Sequence, residues 1–196
     1  MRQEGTQHMK TYTIIAGVNG TGKSSLTGVL RTEMTDLGRI IDVDRLIAER
    51  GSVMKGGKEA VRLIEDCLEK DICFTQETTL SGHKTILTAK QALEKGYHIR
   101  LYYIGLNTVE ECLARIQNRV RKGGHSIPEM DVRRRFDHRF ENLMAILPYC
   151  HEAVFYDNGN GFAAVARYRN GDLLPIGKFR PLWLEDLMKK LEETER

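Results

Sequence analysis

The sequence predicts an α/β fold of the P-loop NTPase kind: a parallel five-stranded sheet flanked by helices, with a helical lid and a C-terminal β-hairpin plus helix. Three observations carry that prediction. Short apolar runs alternate with stretches of helical spacing along the chain, which is the pattern of βαβ units. The first such run, Tyr12-Thr13-Ile14-Ile15-Ala16, leads directly into Gly17-Val18-Asn19-Gly20-Thr21-Gly22-Lys23-Ser24 and then a helical pattern with Leu26, Val29 and Leu30. That octapeptide is G-x-x-x-x-G-K-[ST] in its expected strand–loop–helix setting. Finally, 196 residues suffice for one well-buried domain and hardly for two. A single domain over 1–196 is therefore expected, with a tail at 1–10, the lid at 119–135 and the hairpin and helix at 162–196.

The elements follow in order. Residues 39–44 (Arg-Ile-Ile-Asp-Val-Asp) form a short strand ending in acids, and Val61, Ile64 and Leu68 mark a helix near 59–70. Residues 72–77 read as a third strand. Ser81 is the expected N-cap of a helix through Lys95, which Gly96 ends. His98 to Ile104 is the fourth strand, and Asn107 or Thr108 caps a helix through about Arg121. The pattern breaks over Lys122-Gly123-Gly124-His125-Ser126-Ile127-Pro128. Pro128 suits a first helical turn, and Val132, Phe136, Phe140, Leu143 and Leu147 make an apolar stripe behind it. Ala153 to Tyr156 is the last core strand. Asn170-Gly171 is a hairpin turn signal, and a helix from about Pro181 to Glu193 closes the chain.

Composition narrows the class. Hydrophobic residues at 41% and charged residues at 29% are ordinary for a globular protein in water. A net charge of +3 is too small to argue for nucleic acid. With no apolar stretch of membrane-span length and no leader pattern, no membrane association is expected and a cytoplasmic location is. Cys67, Cys73, Cys112 and Cys150 are widely spaced, without a C-x-x-C pair, and read as reduced core residues.

The glycine loop specifies a ligand. Its glycines turn successive backbone N–H groups inward, and the helix behind adds a field that favours negative charge. Gly17, Asn19, Gly20, Thr21, Gly22, Lys23, Ser24 and Ser25 are the candidate nucleotide-binding residues. Lys23 would reach the β- and γ-phosphates of ATP, and the Ser24 hydroxyl would hold Mg²⁺. Ligands of an open α/β sheet sit beyond the carboxyl ends of its strands. Asp42 and Asp44 end the second strand there and Glu77 the third, opposite the γ-phosphate, where an acceptor hydroxyl must dock. Asp44 is the candidate general base. Asp42 shares its face along a strand and is an alternative base or a metal contact.

Arginines supply the complementary charge. Arg115, Arg119, Arg121 and Lys122 end one helix, and Arg133, Arg134 and Arg135 open the next, with Gly123-Gly124 between. Two helices on a glycine hinge are the layout of a lid that brings guanidinium groups onto transferring phosphate. His125, beside the hinge, is a candidate contact to phosphate or to the acceptor.

These residues resemble the zeta-toxin superfamily of P-loop kinases, in particular a small bacterial branch often labelled predicted ATPases. The resemblance rests on the P-loop, on Asp42-Val43-Asp44 leading into Arg45-Leu46-Ile47-Ala48, and on Glu77-Thr78-Thr79-Leu80-Ser81-Gly82. It extends through Arg119-Val120, Gly123-Gly124-His125, Ile127-Pro128-Glu129, Arg134-Arg135-Phe136 and Asn142-Leu143, covering residues 12 to about 160. It implies ATP-dependent phosphorylation of a small-molecule hydroxyl, in the best-known members that of a UDP-activated N-acetylamino sugar. It puts the P-loop lysine on Lys23, the aspartate base on Asp44, an acidic substrate contact near Glu77 with Thr78 or Thr79 adjacent, and lid arginines on Arg119 and on Arg134 or Arg135. An antitoxin-type protein partner follows by analogy alone. The chain is shorter than the larger toxins, whose extra helices build the sugar-nucleotide pocket.

Other classes fit less well. A polynucleotide kinase or RNA-linked ATPase would interleave stacking aromatics with its basic groove, and here the two are separate. A GTPase needs Asn-Lys-x-Asp and Asp-x-x-Gly, and the sequence has neither. Leu80-Ser81-Gly82-His83-Lys84 is half of a transporter-ATPase signature, without the acid-ended strand that should follow it. A nucleotide-binding module without catalysis uses the same loop and stays open at this point.

Overall fold

The computed structural model describes residues 9–194. Its centre is β1 (Thr11–Ala16), buried at every position, followed by α1 (Lys23–Glu33). Next come β2 (Arg39–Asp42), α2 (Val43–Arg50), α3 (Val53–Glu69), β3 (Phe74–Thr78), α4 (Lys84–Glu94) and β4 (His98–Gly105). The second half runs α5 (Val109–Arg121), α6 (Glu129–Asp137), α7 (Arg139–Ile146), β5 (Glu152–Asp157), β6 (Ala163–Arg169), β7 (Asp172–Pro175) and α8 (Leu182–Thr194). The sheet order is β2-β3-β1-β4-β5-β6-β7. The first five strands are parallel, and β5-β6-β7 pair antiparallel. The predicted hairpin thus extends the sheet to seven strands. It turns at Asn170 and Gly171, both with positive φ, as a two-residue primed turn requires.

Helices cover both faces because each brings one apolar stripe. Ala60, Ile64, Cys67 and Leu68 of α3, Phe140, Leu143 and Ile146 of α7, and Trp183, Leu184 and Leu187 of α8 join one large core cluster with Tyr12, Phe74, Tyr103 and Phe155. Leu26 and Leu30 of α1 pack with Ile15 and Ile104 on the other face.

Four boundaries differ from expectation. The second strand stops at Asp42, not Asp44, because the Asp42 carboxylate accepts from the Arg45 amide (3.0 Å) and caps α2. Asp42 and Asp44 therefore do not share a strand face. Helical structure begins well before residue 59, at Val43, and breaks at Gly51. Ser81 is not an N-cap: α4 starts at Lys84, and the Ser81 hydroxyl pairs with Thr79 (2.6 Å). The single stripe expected behind Pro128 is two helices meeting at His138, where the Arg139 side chain bonds the Phe136 carbonyl (2.6 Å). Thr108 builds the expected N-terminus of α5 as a full capping box with Glu111. The tail expected at 1–10 falls mostly on residues 1–8, outside the described residues; Lys10 pairs with Asp71. No helix among the described residues is long and apolar enough to cross a membrane.

Candidate active site

The loop between β1 and α1 is shaped by close approaches. A Cβ on Gly20 would sit 2.5 Å from the Cys112 carbonyl oxygen, and one on Gly22 would sit 2.6 Å from the Asn158 amide nitrogen. Both residues have positive φ, so only glycine fits without strain. Gly22 is also the N-cap of α1 and has no side chain to offer, and the first turn carries no acid. The leading amides of α1 are thereby left for an anion. Lys23, 8% exposed, lies back across the loop with its Nζ on the Gly17 and Val18 carbonyls (3.0 and 3.4 Å). The Thr21 hydroxyl donates to the Val18 carbonyl (2.9 Å) and holds the turn. Ser25 stays exposed on the first turn.

Behind the loop lies a buried acid without a direct cationic partner among the described residues. Glu77, 3% exposed, accepts from the Ser24 hydroxyl (2.7 Å) and the Thr27 hydroxyl (2.6 Å). Burial pushes its carboxyl above the ordinary value. Thr27 pulls it down, the Asp42 charge pushes it up, and Ser24 and Lys23 pull it down again. A hydroxyl and a carboxylate side by side are hard oxygen donors, the set that Mg²⁺ takes. Among the described residues no group of three or more His, Cys, Asp or Glu could hold a metal by itself. That is the usual situation for Mg²⁺, which is held by one or two protein groups and by phosphate.

A second chain of contacts crosses the loop. The Asn19 amide nitrogen donates to Asp44 Oδ2 (2.8 Å), and its Oδ1 accepts from Arg135 Nη1 (2.5 Å). Asp44, in the first turn of α2, and Arg135, on α6, thus meet through the P-loop although far apart in sequence. Arg135 Nε is buried with no hydrogen-bond partner among the described residues. A half-buried guanidinium with a donor to spare, bonded to the loop that precedes an uncapped helix N-terminus, suits a phosphate. Asp42 is committed to its cap and stands beside Glu77 in the paired register of β2 and β3.

The other predicted residues stand around this centre. The Thr78 hydroxyl accepts from the Leu80 amide (3.0 Å), and Thr79 faces Ser81. Arg134 is exposed and pairs with Asp131 (2.7 Å). Arg119, also exposed, donates to the His125 carbonyl (2.9 Å) and ties the glycine hinge to α5, leaving the His125 side chain in solvent. Between the β3–α4 loop and α6–α7 opens a cleft of about 410 Å³ lined by Ser81, Gly82, Arg134, Arg135, His138 and Asn142. It faces the same arginine that reaches Asn19. The loop at 122–128 lies beyond it, while Val132 and Phe136 anchor α6 to Val18 of the P-loop.

Several of the contacts around the site could not be read from the sequence. Thr27, one turn after Ser24, gave no signal of its own. Ser81, His138 and Asn142 join the cleft only through the path of the chain. Arg115 bonds the carbonyl of Asn158, whose own amide donates to Thr21 of the P-loop (2.7 Å). The loop after β5 is fixed further by Asp157, which accepts from Trp183 Nε1 (2.8 Å) and from the Gly159 amide (3.0 Å). The Asp157-Asn158-Gly159 run was the available clue to that loop.

Comparison with other proteins bears on the family and on the fold. No protein-family model matches the chain. An uncharacterized protein of Haemophilus influenzae is 39% identical over 126 residues, 61% of this chain and 88% of that one. Among solved structures, a chain of the PezAT chromosomal toxin–antitoxin system of Streptococcus pneumoniae has a TM-score of 0.64 at 16% identity, covering 98% of this chain and 88% of that one. A chain of the AvrRxo1-ORF1:-ORF2 complex with ATP has a TM-score of 0.66 at 15% identity, over 93% of this chain and 63% of that one. A chain of the Pnkp1/Rnl/Hen1 RNA repair complex has a TM-score of 0.58 at 15% identity, over 74% of this chain and 48% of that one. Identities this low speak for the fold alone, the P-loop α/β fold that the chain shares with the PezAT and AvrRxo1 chains.

Proposed function

The chain belongs to one family with the Haemophilus influenzae protein and has a zeta-toxin-like P-loop kinase fold, and from that premise we propose that it is an ATP-dependent kinase acting on a hydroxyl of a small molecule. The observation that carries the reading is the Asp44–Asn19–Arg135 contact. It brings a carboxylate and a phosphate-seeking guanidinium to the same side of the loop that would hold ATP. The loop amides, Lys23 and Arg135 would hold the triphosphate, and Ser24 with Glu77 would hold Mg²⁺. Held there, Mg²⁺ would supply positive charge that offsets the charge of the triphosphate.

The residues then divide the reaction. Asp44 receives the proton of the acceptor hydroxyl as that oxygen bonds to the γ-phosphorus and the bond to the β–γ bridging oxygen breaks. Lys23 and Arg135 offset the negative charge on the equatorial oxygens and on the departing ADP. The cleft beside Arg135 is the acceptor site in this reading. Of its cationic lining, Arg134 and His138 are paired with Asp131 and Glu141, which leaves Arg135 to face an acidic group of the acceptor. A UDP-activated N-acetylamino sugar is the first candidate. Thr78, Thr79 and His125 would contact the acceptor from there, and Arg119 with the 122–128 loop would form the lid. Donation by ATP suits a cytoplasmic protein, and the toxin–antitoxin setting of one fold relative suggests an antitoxin-type partner.

Incubation with ATP labelled at the γ-phosphate and a cell metabolite extract tests the reading. A labelled small-molecule ester that disappears with Asp44→Asn supports it. Label that transfers instead to an oligonucleotide 5′-hydroxyl would favour a polynucleotide kinase, the activity class suggested by the RNA-repair likeness. No transfer to either, with ATP still bound, would leave a nucleotide-binding module.

A further inference from the structure

Asn19 occupies a loop position that the P-loop pattern leaves free. It is 2% exposed, and both ends of its amide are in use. Guanidinium only donates and an ionised carboxylate only accepts, so the amide has one allowed orientation, oxygen to Arg135 and nitrogen to Asp44. No hydrophobic isostere makes either contact, and aspartate makes only the contact to arginine.

We propose that Asn19 is a positioning residue for the transfer reaction, orienting the base Asp44 and seating the lid helix α6 through Arg135 in one side chain. The inference rests on the kinase reading for Asp44's role, while the structural link itself does not. Asn19 also acts as a neutral spacer. Without it, Arg135 and Asp44 could close on each other as an ion pair, and neither would be free for its partner. With the amide between them, the arginine keeps its buried Nε for phosphate and the carboxylate keeps an oxygen for the acceptor proton. Val132 and Phe136 already pack α6 against Val18, so the amide sets the last angle of the helix without carrying its docking.

Two substitutions separate the halves of the bridge. Asn19→Asp keeps an acceptor for Arg135 and loses the donor to Asp44, and Asn19→Ala loses both. Proteolysis of the 122–128 loop reads the lid half without any reaction, and turnover with ATP and the labelled acceptor reads the base half. The expected result for Asn19→Asp is wild-type protection of the loop with kcat lowered roughly 10–100-fold, the added charge weakening ATP binding as well. Asn19→Ala should lose protection as well. Combining Asn19→Ala with Arg135→Ala should cost the loop no more protection than Arg135→Ala alone, because one contact cannot be removed twice, while kcat falls further through loss of the Asp44 contact. Equal loss of protection in both variants, or a double variant that loses more protection than Arg135→Ala alone, would overturn the proposal and leave Asn19 a residue of loop shape only. If the wild type transfers nothing, the kinase reading fails, and the proteolysis arm still decides whether Asn19 seats α6.

Discussion

The two ends of the central sheet treat charge in opposite ways. At the amino ends of β4 and β5, Arg100 lies between Asp36 (3.2 Å) and Glu152 (3.0 Å). Burial works against its charge, and the two carboxylates more than offset that cost, so its pKa is raised. His98 reaches the same Glu152 (3.4 Å) and stacks on His151. At the carboxyl ends of β1 and β3, charges face neutral groups instead: Glu77 two hydroxyls, Lys23 two carbonyls, Arg135 and Asp44 an amide. One end is closed by its own ion pairs. The other holds charge by weaker neutral contacts that a phosphate or a cation can replace, at some cost to the stability of the chain alone.

The largest test of this contrast is Lys23→Ala, which removes a preorganised cation from the open end. Turnover should fall by about 10³-fold or more, with the fold unchanged by circular dichroism. Arg135→Ala should come next, at roughly 10²–10³ in kcat. Its thermal stability should be near wild type, since the hydrophobic contacts of α6 remain. At the closed end the pattern inverts. Arg100→Met should leave kcat nearly untouched and lower unfolding stability by about 1–2 kcal/mol, because two carboxylates lose their shared partner.

Glu77→Gln should sharpen the contrast most finely, through pH. Burial raises the Glu77 carboxyl in the folded state. Its contribution to stability is therefore fully present below the ordinary glutamate value of about 4.3 and is lost as pH rises through the higher folded value. Denaturant titrations across that range should show wild-type stability declining relative to Glu77→Gln, so the variant is the more stable protein at neutral pH. It should also be the less active one, and its Mg²⁺ requirement should rise. A variant less stable than wild type at neutral pH would mean that the Ser24 and Thr27 hydroxyls already compensate the buried charge.

Much of this was legible in the sequence because it is local. The P-loop spells its own geometry, Thr108 and Glu111 announce a capping box three residues apart, and Asn170-Gly171 announces a hairpin. What was hidden depends on distance or on competition between neighbours. Asn19 and Arg135 are 116 residues apart, and no spacing rule links them. Asp42 and Asp44 both resemble a strand-end acid and a cap. The Arg45 amide settles the matter by bonding Asp42, which starts a helix and turns Asp44 toward Asn19. The arginines of the basic segment have similar side chains and separate fates: Arg115 holds the loop after β5, Arg119 ties the hinge, Arg134 stays in solvent, and Arg135 alone reaches the P-loop. Helical periodicity orients a face, but α6 and α7 meet at a break that periodicity does not reveal.

The proton-accepting role of Asp44 is the centre of the account, and Asp44→Asn tests it most directly when transfer and ATP binding are measured on the same preparation. The amide keeps the shape and removes the base, so transfer should fall by about 10²–10⁴-fold while ATP Kd moves less than about threefold. Transfer at the wild-type rate from that variant, or an ATP affinity lost in step with the rate, would contradict it.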